Sequence, residues 1–450
     1  MIKKILLTCI AISSLAVVSA QTFVNRGAPV AVMQGGLMIV KTDGVTTGSG
    51  SLENDAQGTG IFKNQGDLTI EGSFINTSGV ADGYASNTGI YRVLQNWVNN
   101  ATFTADNSLV ELNGGAQQIT GSIPTTFFNL NCNTPGSVKT QTLDAMVNGV
   151  LTLNGTELAT KDNLMTINNT DPAAIVQNNV NTAFVSSDGP ARTGRLVRAT
   201  NQKVDYIFPT GMNDGGTPKI REVAITPANS QSRFYRVRFV DHVPTTSTTT
   251  DDGFDTIKKS AGVRAVNDVF YHMIASTDNS PADLSIYFDP TADHRWQGIA
   301  RWQDVPEWQN LLGAVENPGQ LGTSRLRLTK AAWIPTTDEA HALIDTIPIK
   351  KDFNFPTAFV GDGNFSGDQS QNAYFTIINQ GDLAILDELS VFNRWGEMVF
   401  NSKRDATDKW DGHYHGKLQQ QGNYVYLATV RNKTTNKLYP TVTGNVSLLW

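Results

Sequence analysis

One spacing constrains this chain more than any other feature. Short apolar pairs, each followed by Gly, Asn or Asp, recur within residues 60–170 at Leu68/Ile70, Leu109/Leu112, Phe128/Leu130 and Leu151/Leu153, and helical periodicity is scarce. The steps from Leu68 to Leu109, from Leu109 to Leu130 and from Leu130 to Leu151 are 41, 21 and 21 residues, with Ile90 near the midpoint of the first. A repeat of roughly 20–30 residues with Gly/Asn turns fits a β-solenoid, in which each rung buries its inward stripe only by stacking on its neighbours. Strands at regular spacing also suit a β-sandwich, so residues 21–180 read as solenoid-like or as a sandwich. Asn is dense here, as at Asn96, Asn99, Asn129, Asn131, Asn133 and Asn168. Its amide serves turns or stacks in ladders, and by itself marks no site.

The whole chain reads as all-β. A β-sandwich is expected over 181–347, where Phe234-Tyr235-Arg236-Val237-Arg238-Phe239-Val240 alternates like a half-buried antiparallel strand with a charged outer face. Ile347-Pro348-Ile349 reads as a linker into a small C-terminal β-sandwich over 348–450. The first twenty residues read as a secretory leader outside the fold: Lys3 and Lys4, an apolar run from Ile5 to Val18, and small residues before a cut at Gln21. Cleavage would remove two of the 35 Lys+Arg, leaving 33 against 41 Asp+Glu, a net charge of −8. An acidic chain with no basic run is a poor partner for nucleic acid, because phosphate binding depends on clustered Lys and Arg. With Cys9 in the leader, Cys132 is the one thiol left, so the exported chain must hold together by packing rather than by an internal disulfide.

Catalytic signatures are missing from the sequence: it has no Gly-x-Ser-x-Gly elbow, His-Glu-x-x-His, phosphate loop or zinc cysteine pair. No enzyme activity and no cofactor are expected. Trp296, Trp302 and Trp308, six residues apart, are candidates for a sugar-stacking platform, although core packing is the commoner use of tryptophan. Asp362, Asn364, Ser366 and Asp368 copy the oxygen donors of the first half of a calcium loop, but Ala373 stands where the bidentate Glu belongs, so a turn is favoured over a metal site.

The last hundred residues carry an ordered set of motifs: Asn393-Arg394-Trp395-Gly396, then Trp410-Asp411-Gly412, then Gly422-Asn423-Tyr424-Val425-Tyr426, and a closing Gly444. Trp395 and Trp410 are expected in or over the core of this block. The set resembles the type B C-terminal sorting domain of the Bacteroidetes type IX secretion system, also called the gliding-motility-associated C-terminal domain. Here Val360 precedes Gly361-Asp362-Gly363, and the chain ends in Leu449-Trp450 rather than in basic residues.

The resemblance implies export to the cell surface, the outer membrane or the medium. It also implies that the motif residues are read by the type IX translocon, by a PorV-type shuttle barrel and by a PorP/SprF-type outer-membrane barrel. Two functions from different classes follow. One is a non-enzymatic surface protein, an adhesin or a component of the gliding or surface apparatus, with surface polysaccharide as a partner. The other is a secreted carbohydrate-active enzyme or carbohydrate-binding protein using the 296–308 tryptophans.

Overall fold

In the computed structural model, residues 4–450 are described except 6–9, 13–14, 20–21, 27–28, 45–48, 56–60, 79–87, 214, 216, 243–252, 304–306, 322–323, 336–337, 347–352, 362–371, 380–383, 434–437 and 440. The chain divides into two compact units, Met1–Ile347 and Pro348–Trp450.

The first unit begins as a solenoid. One side is a parallel sheet of nine strands that includes Thr22–Asn25, Ser51–Asp55, Phe74–Ser78, Trp97–Asn99 and Gln117–Gly121; a second side is a parallel sheet of eight. Val30–Val32 pairs with Phe62–Asn64 on the third side, and later coils supply Thr125–Phe127, Ala145–Val147 and Leu164–Ile167 there. Alternation puts every second side chain inward. The inward stripe of the second side runs Met38, Leu68, Tyr91, Val110, Leu130, Leu151, each at most 1% exposed and register partners in turn. The repeat is therefore real, but two of its expected positions slip by one residue. Tyr91 and Val110 face inward, while their neighbours Ile90 and Leu109 are half-buried.

Many polar groups inside the coils are satisfied from rung to rung. Asn25 donates to Asn54 Oδ1 (2.9 Å), Asn54 to Asn76 Oδ1 (3.1 Å) and Asn76 to Asn99 Oδ1 (3.0 Å), a buried amide ladder. A second ladder joins Asn113, Asn133, Asn154 and Asn178 near the surface. Lys139 is fully buried, and its ammonium donates to the carbonyls of Gly114 (2.6 Å) and Gly115 (2.7 Å) and to Gln117 Oε1 (2.9 Å). Cys132 is buried alongside, and desolvation pushes its thiol up to about 12, which keeps it protonated and unreactive.

The expected leader does not stand apart from the sheets. Lys4–Ile5, Ile10–Ile12 and Leu15–Ser19 pair in parallel with Thr22–Asn25, Val30–Val32 and Leu37–Lys41, adding a rung to the first coil. A bare parallel edge accepts any extended segment of β-branched and apolar residues, and the leader is one.

The far end of the solenoid passes into two antiparallel sheets without a break. Leu164–Ile167 pairs in parallel with Arg195–Thr200, which pairs antiparallel with Arg233–Val240, and the sheet continues through Tyr271–Ser276 and Glu339–Thr346 to Gly298–Gln303. The opposing sheet orders Tyr206–Phe208, Val223–Pro227, Ala282–Phe288, Ser324–Trp333 and Val315–Leu321. Residues of both sheets and of the solenoid belong to one apolar core, which runs across the division expected between 21–180 and 181–347. Three guanidinium groups tie the junction. Arg198 donates to the carbonyls of Ile207, Asp171 and Pro172, Arg195 pairs with Asp338, and Arg238 donates to the carbonyls of Ser187 and Arg192. The expected charged outer face of the 233–240 strand is thus only partly present: Arg236 is exposed, but Arg238 is 5% exposed, its guanidinium turned to backbone carbonyls.

The second unit is a five-stranded sheet in the order Ala358–Val360, Val442–Leu449, Gly422–Asn432, Ala384–Phe392, Met398–Asn401. Its inner face packs Leu389, Val391, Tyr424, Tyr426, Ala428 and Val446 against Phe353, Phe359, Phe375 and Trp410. Beside it lie the short pair Phe353–Asn354 with Ile378–Asn379, the hairpin of His413–Tyr414 with Lys417–Leu418, and a bridge between Phe375 and Trp410.

Candidate functional site

The tail motifs separate into residues that build the fold and residues that it displays. Asn393 sits at the turn between Ala384–Phe392 and Met398–Asn401. Its Oδ1 accepts from the backbone N–H of Trp395 and of Glu397 (both 3.0 Å), and its Nδ2 donates to Glu397 Oε2 (3.0 Å). Gly396, at φ +77°, donates its N–H to Asn393 O and takes the left-handed conformation that closes the turn. These two residues fix the loop, and between them Trp395 stands 81% exposed with the Arg394 guanidinium 5.3 Å from its ring centroid. Trp395 is therefore not part of the core, contrary to the expectation from its aromatic character: the Asx turn points it to solvent.

Trp410 is the opposite case. It is 1% exposed, its indole N–H donates to His413 O (3.0 Å), and its ring lies 5.2 Å from Phe359 and 4.9 Å from Tyr424. Asp411 Oδ1 accepts from His413 N (2.9 Å), and Gly412, at φ +87° against Leu448, completes the turn. Tyr424 and Tyr426 point inward from the strand that Gly422 opens, Tyr424 donating to Gln420 O (2.8 Å), while Gly444 faces Tyr426 across the ladder. A Cβ at Gly444 would lie 2.7 Å from the Tyr426 hydroxyl, so its lack of a side chain makes room for that ring.

Because Tyr424 and Tyr426 face inward, Val425 and Leu427 must face outward, and they are 49% and 42% exposed. Leu449 shares their sheet and Trp450 follows it, 47% and 63% exposed, and the Trp450 indole donates to Gln419 O. Arg394 reaches Gln420 of the same loop. A cavity of about 420 Å³ opens here, lined by Asn393, Arg394, Trp395 and the 417–424 loop. The sequence reading named Trp395 but missed these outward residues; the signal for two of them was the apolar residue alternating with inward Tyr424, Tyr426 and Ala428. Exposed aromatic, aliphatic and guanidinium groups without a buried titratable pair suit recognition by a protein surface.

The other candidates fall elsewhere. His413 and His415 line a second cavity of about 520 Å³ with Tyr374, Arg404, Lys409 and Asp411. Asp362, Asn364, Ser366 and Asp368 lie outside the described residues. Trp296, Trp302 and Trp308 form no exposed platform: Trp308 is fully buried, Trp296 is 6% exposed, and Trp302 packs edge-on against Trp308 at 5.6 Å as its cross-strand partner. Their rings fill a core rather than face a sugar.

Residues 363–443 match the family described as the CHU_C type IX secretion signal domain, so the chain carries a type B sorting domain at its C-terminal end. No curated relative and no solved structure matches the chain. A type IX secretion signal implies an interaction with the type IX machinery and export out of the cell, to the surface or the medium.

Proposed function

We propose that this is a non-enzymatic cell-surface protein, an adhesin or a component of the surface or gliding apparatus, delivered by its tail and displayed through its first unit. The tail is read by a PorV-type shuttle barrel and a PorP/SprF-type outer-membrane barrel. The observation that carries the export half is Trp395, held out of the core by the Asn393–Gly396 turn and backed by Arg394. The adhesive half rests on the first unit: a solenoid running into a sandwich through one core offers long polar flanks, with an Asn ladder and the Thr120–Thr142 hydrogen bond at the surface. The burial of Trp308 and Trp296 removes the one feature that favoured a carbohydrate-active enzyme.

The test is an in-frame deletion of residues 21–347 that keeps the leader and the tail. Cells should still place the shortened chain outside while losing attachment or spreading on a surface. Unchanged attachment and spreading would contradict the adhesive role.

A further inference from the structure

The tail's cavity of about 520 Å³ has the usual size of a small-molecule site and shares no lining residue with the cavity beside Trp395. Two cation–aromatic pairs line it. The Lys409 ammonium lies 5.8 Å from the Tyr374 ring centroid, and the Arg404 guanidinium lies 5.7 Å from that of Tyr414. His415 packs on Tyr414 with centroids 4.2 Å apart, and buried Val399 and Phe400 add apolar wall.

The two carboxylates of the cavity are engaged by their own loops. Asp405 accepts from Arg404 Nε (2.8 Å) and Nη2 (2.9 Å) and from the Asn401 N–H (2.9 Å), and the Arg404 hydrogen bonds hold its carboxyl below the usual range. Asp411 Oδ1 accepts from the His413 N–H (2.9 Å), and its Oδ2 lies 3.3 Å from the His413 ring. Donors are left over. Among the described residues, Lys409 Nζ and Arg404 Nη1 meet no hydrogen-bond acceptor. Spare N–H groups beside ring faces call for a ligand that brings both acceptors and an apolar face. An inorganic anion has no use for the rings, and a neutral sugar gains little from the cations. A pyranose that carries a carboxylate uses both: its C–H face packs on tyrosine, and its carboxylate and hydroxyls take the spare donors.

We propose that this cavity binds an acidic sugar residue, a hexuronate of a polysaccharide, and so gives the tail a glycan contact of its own. Lys409 and Arg404 hold the charge, and Tyr374 and Tyr414 supply the ring faces. The site does not depend on the tail's part in export, because the two cavities have no residue in common.

The experiment is calorimetric titration of the intact protein with trigalacturonate, and in parallel with maltotriose, sodium sulfate and adenosine monophosphate. Trigalacturonate should bind saturably and about tenfold or more tighter than the other three. Lys409→Gln, at an exposed position, should weaken it about tenfold with an unchanged circular dichroism spectrum. Tyr414→Leu should weaken it similarly, and Tyr374→Leu replaces that variant if it lowers the melting temperature of the tail. Equal binding of sulfate or maltotriose, tighter binding of the nucleotide, or no binding of trigalacturonate overturns the ligand class. Full affinity in Lys409→Gln overturns the assigned cavity. Competition by polysaccharide purified from the producing cells supports a ligand on the cell that displays the protein, and binding without that competition supports one on a foreign surface.

Discussion

Acid should loosen the first unit through two histidines that face each other across neighbouring strands. His272 and His341 are register partners, buried to 0% and 1% exposure. His341 Nε2 accepts from the Trp333 indole (3.1 Å), its Nδ1 bonds Glu339 O, and His272 Nε2 bonds Arg221 O (2.9 Å). Phe239, Phe270 and the guanidinium groups of Arg221 and Arg301 surround the pair, so burial first, and the nearby cations further, disfavour the charged imidazoles. His272 is lowered to about 4 and His341 to about 3, from an ordinary 6.5. The unfolded chain therefore binds protons more readily than the fold. Stability is fully present above pH ~6.5 and is lost as pH falls toward the folded values.

At pH 5 each histidine costs about 2 kcal/mol, roughly 4 kcal/mol together. With about 2.1 cal/mol/K of unfolding entropy per residue, a unit of this size should lose about 5 °C in Tm between pH 7.5 and 5 from this source. The assay is the Tm of the intact protein against pH, followed by tryptophan fluorescence, for the parent and for His272→Gln/His341→Gln. The variant should start lower at pH 7.5 and fall less steeply. Parallel pH profiles for parent and variant would refute the assignment.

Two further substitutions probe the tail and the solenoid. Trp395→Ala should leave the tail's stability within about 0.5 kcal/mol and yet trap the protein inside the cell, whereas Trp410→Ala should cost about 3–5 kcal/mol and unfold the tail; thermal melts with fractionation distinguish them. Asn76→Leu breaks the buried ladder between Asn54 and Asn99 and leaves Thr102 O without its donor, so it should cost about 2–4 kcal/mol, read by denaturant titration and by faster hydrogen exchange across residues 51–102.

Much of this architecture is legible in the sequence because stacking imposes a strict repeat. Leu130 and Leu151, chosen by spacing, are direct register partners. Where two apolar residues adjoin, as at Ile90-Tyr91 and Leu109-Val110, spacing alone does not say which one faces in, and each choice was off by one. The passage from solenoid to sandwich is invisible for another reason: backbone pairing between Leu164–Ile167 and Arg195–Thr200 takes no notice of composition. In the tail, aromatic character suggested burial for Trp395 and Trp410 alike. The Asn and Gly flanking Trp395 form a turn that displays it, while Trp410 plugs a core assembled from strands far apart in sequence. Trp302 and Trp308 show the converse, where close spacing suggested a platform and cross-strand packing set them against a core.

The central claim is that the last hundred residues direct export. Deleting 348–450 in the native host and locating the remaining chain by fractionation and surface proteolysis tests it most directly, since Met1–Ile347 is a compact unit of its own. The account predicts that the shortened chain is folded and retained inside the outer membrane. Undiminished display at the surface or release into the medium would contradict it.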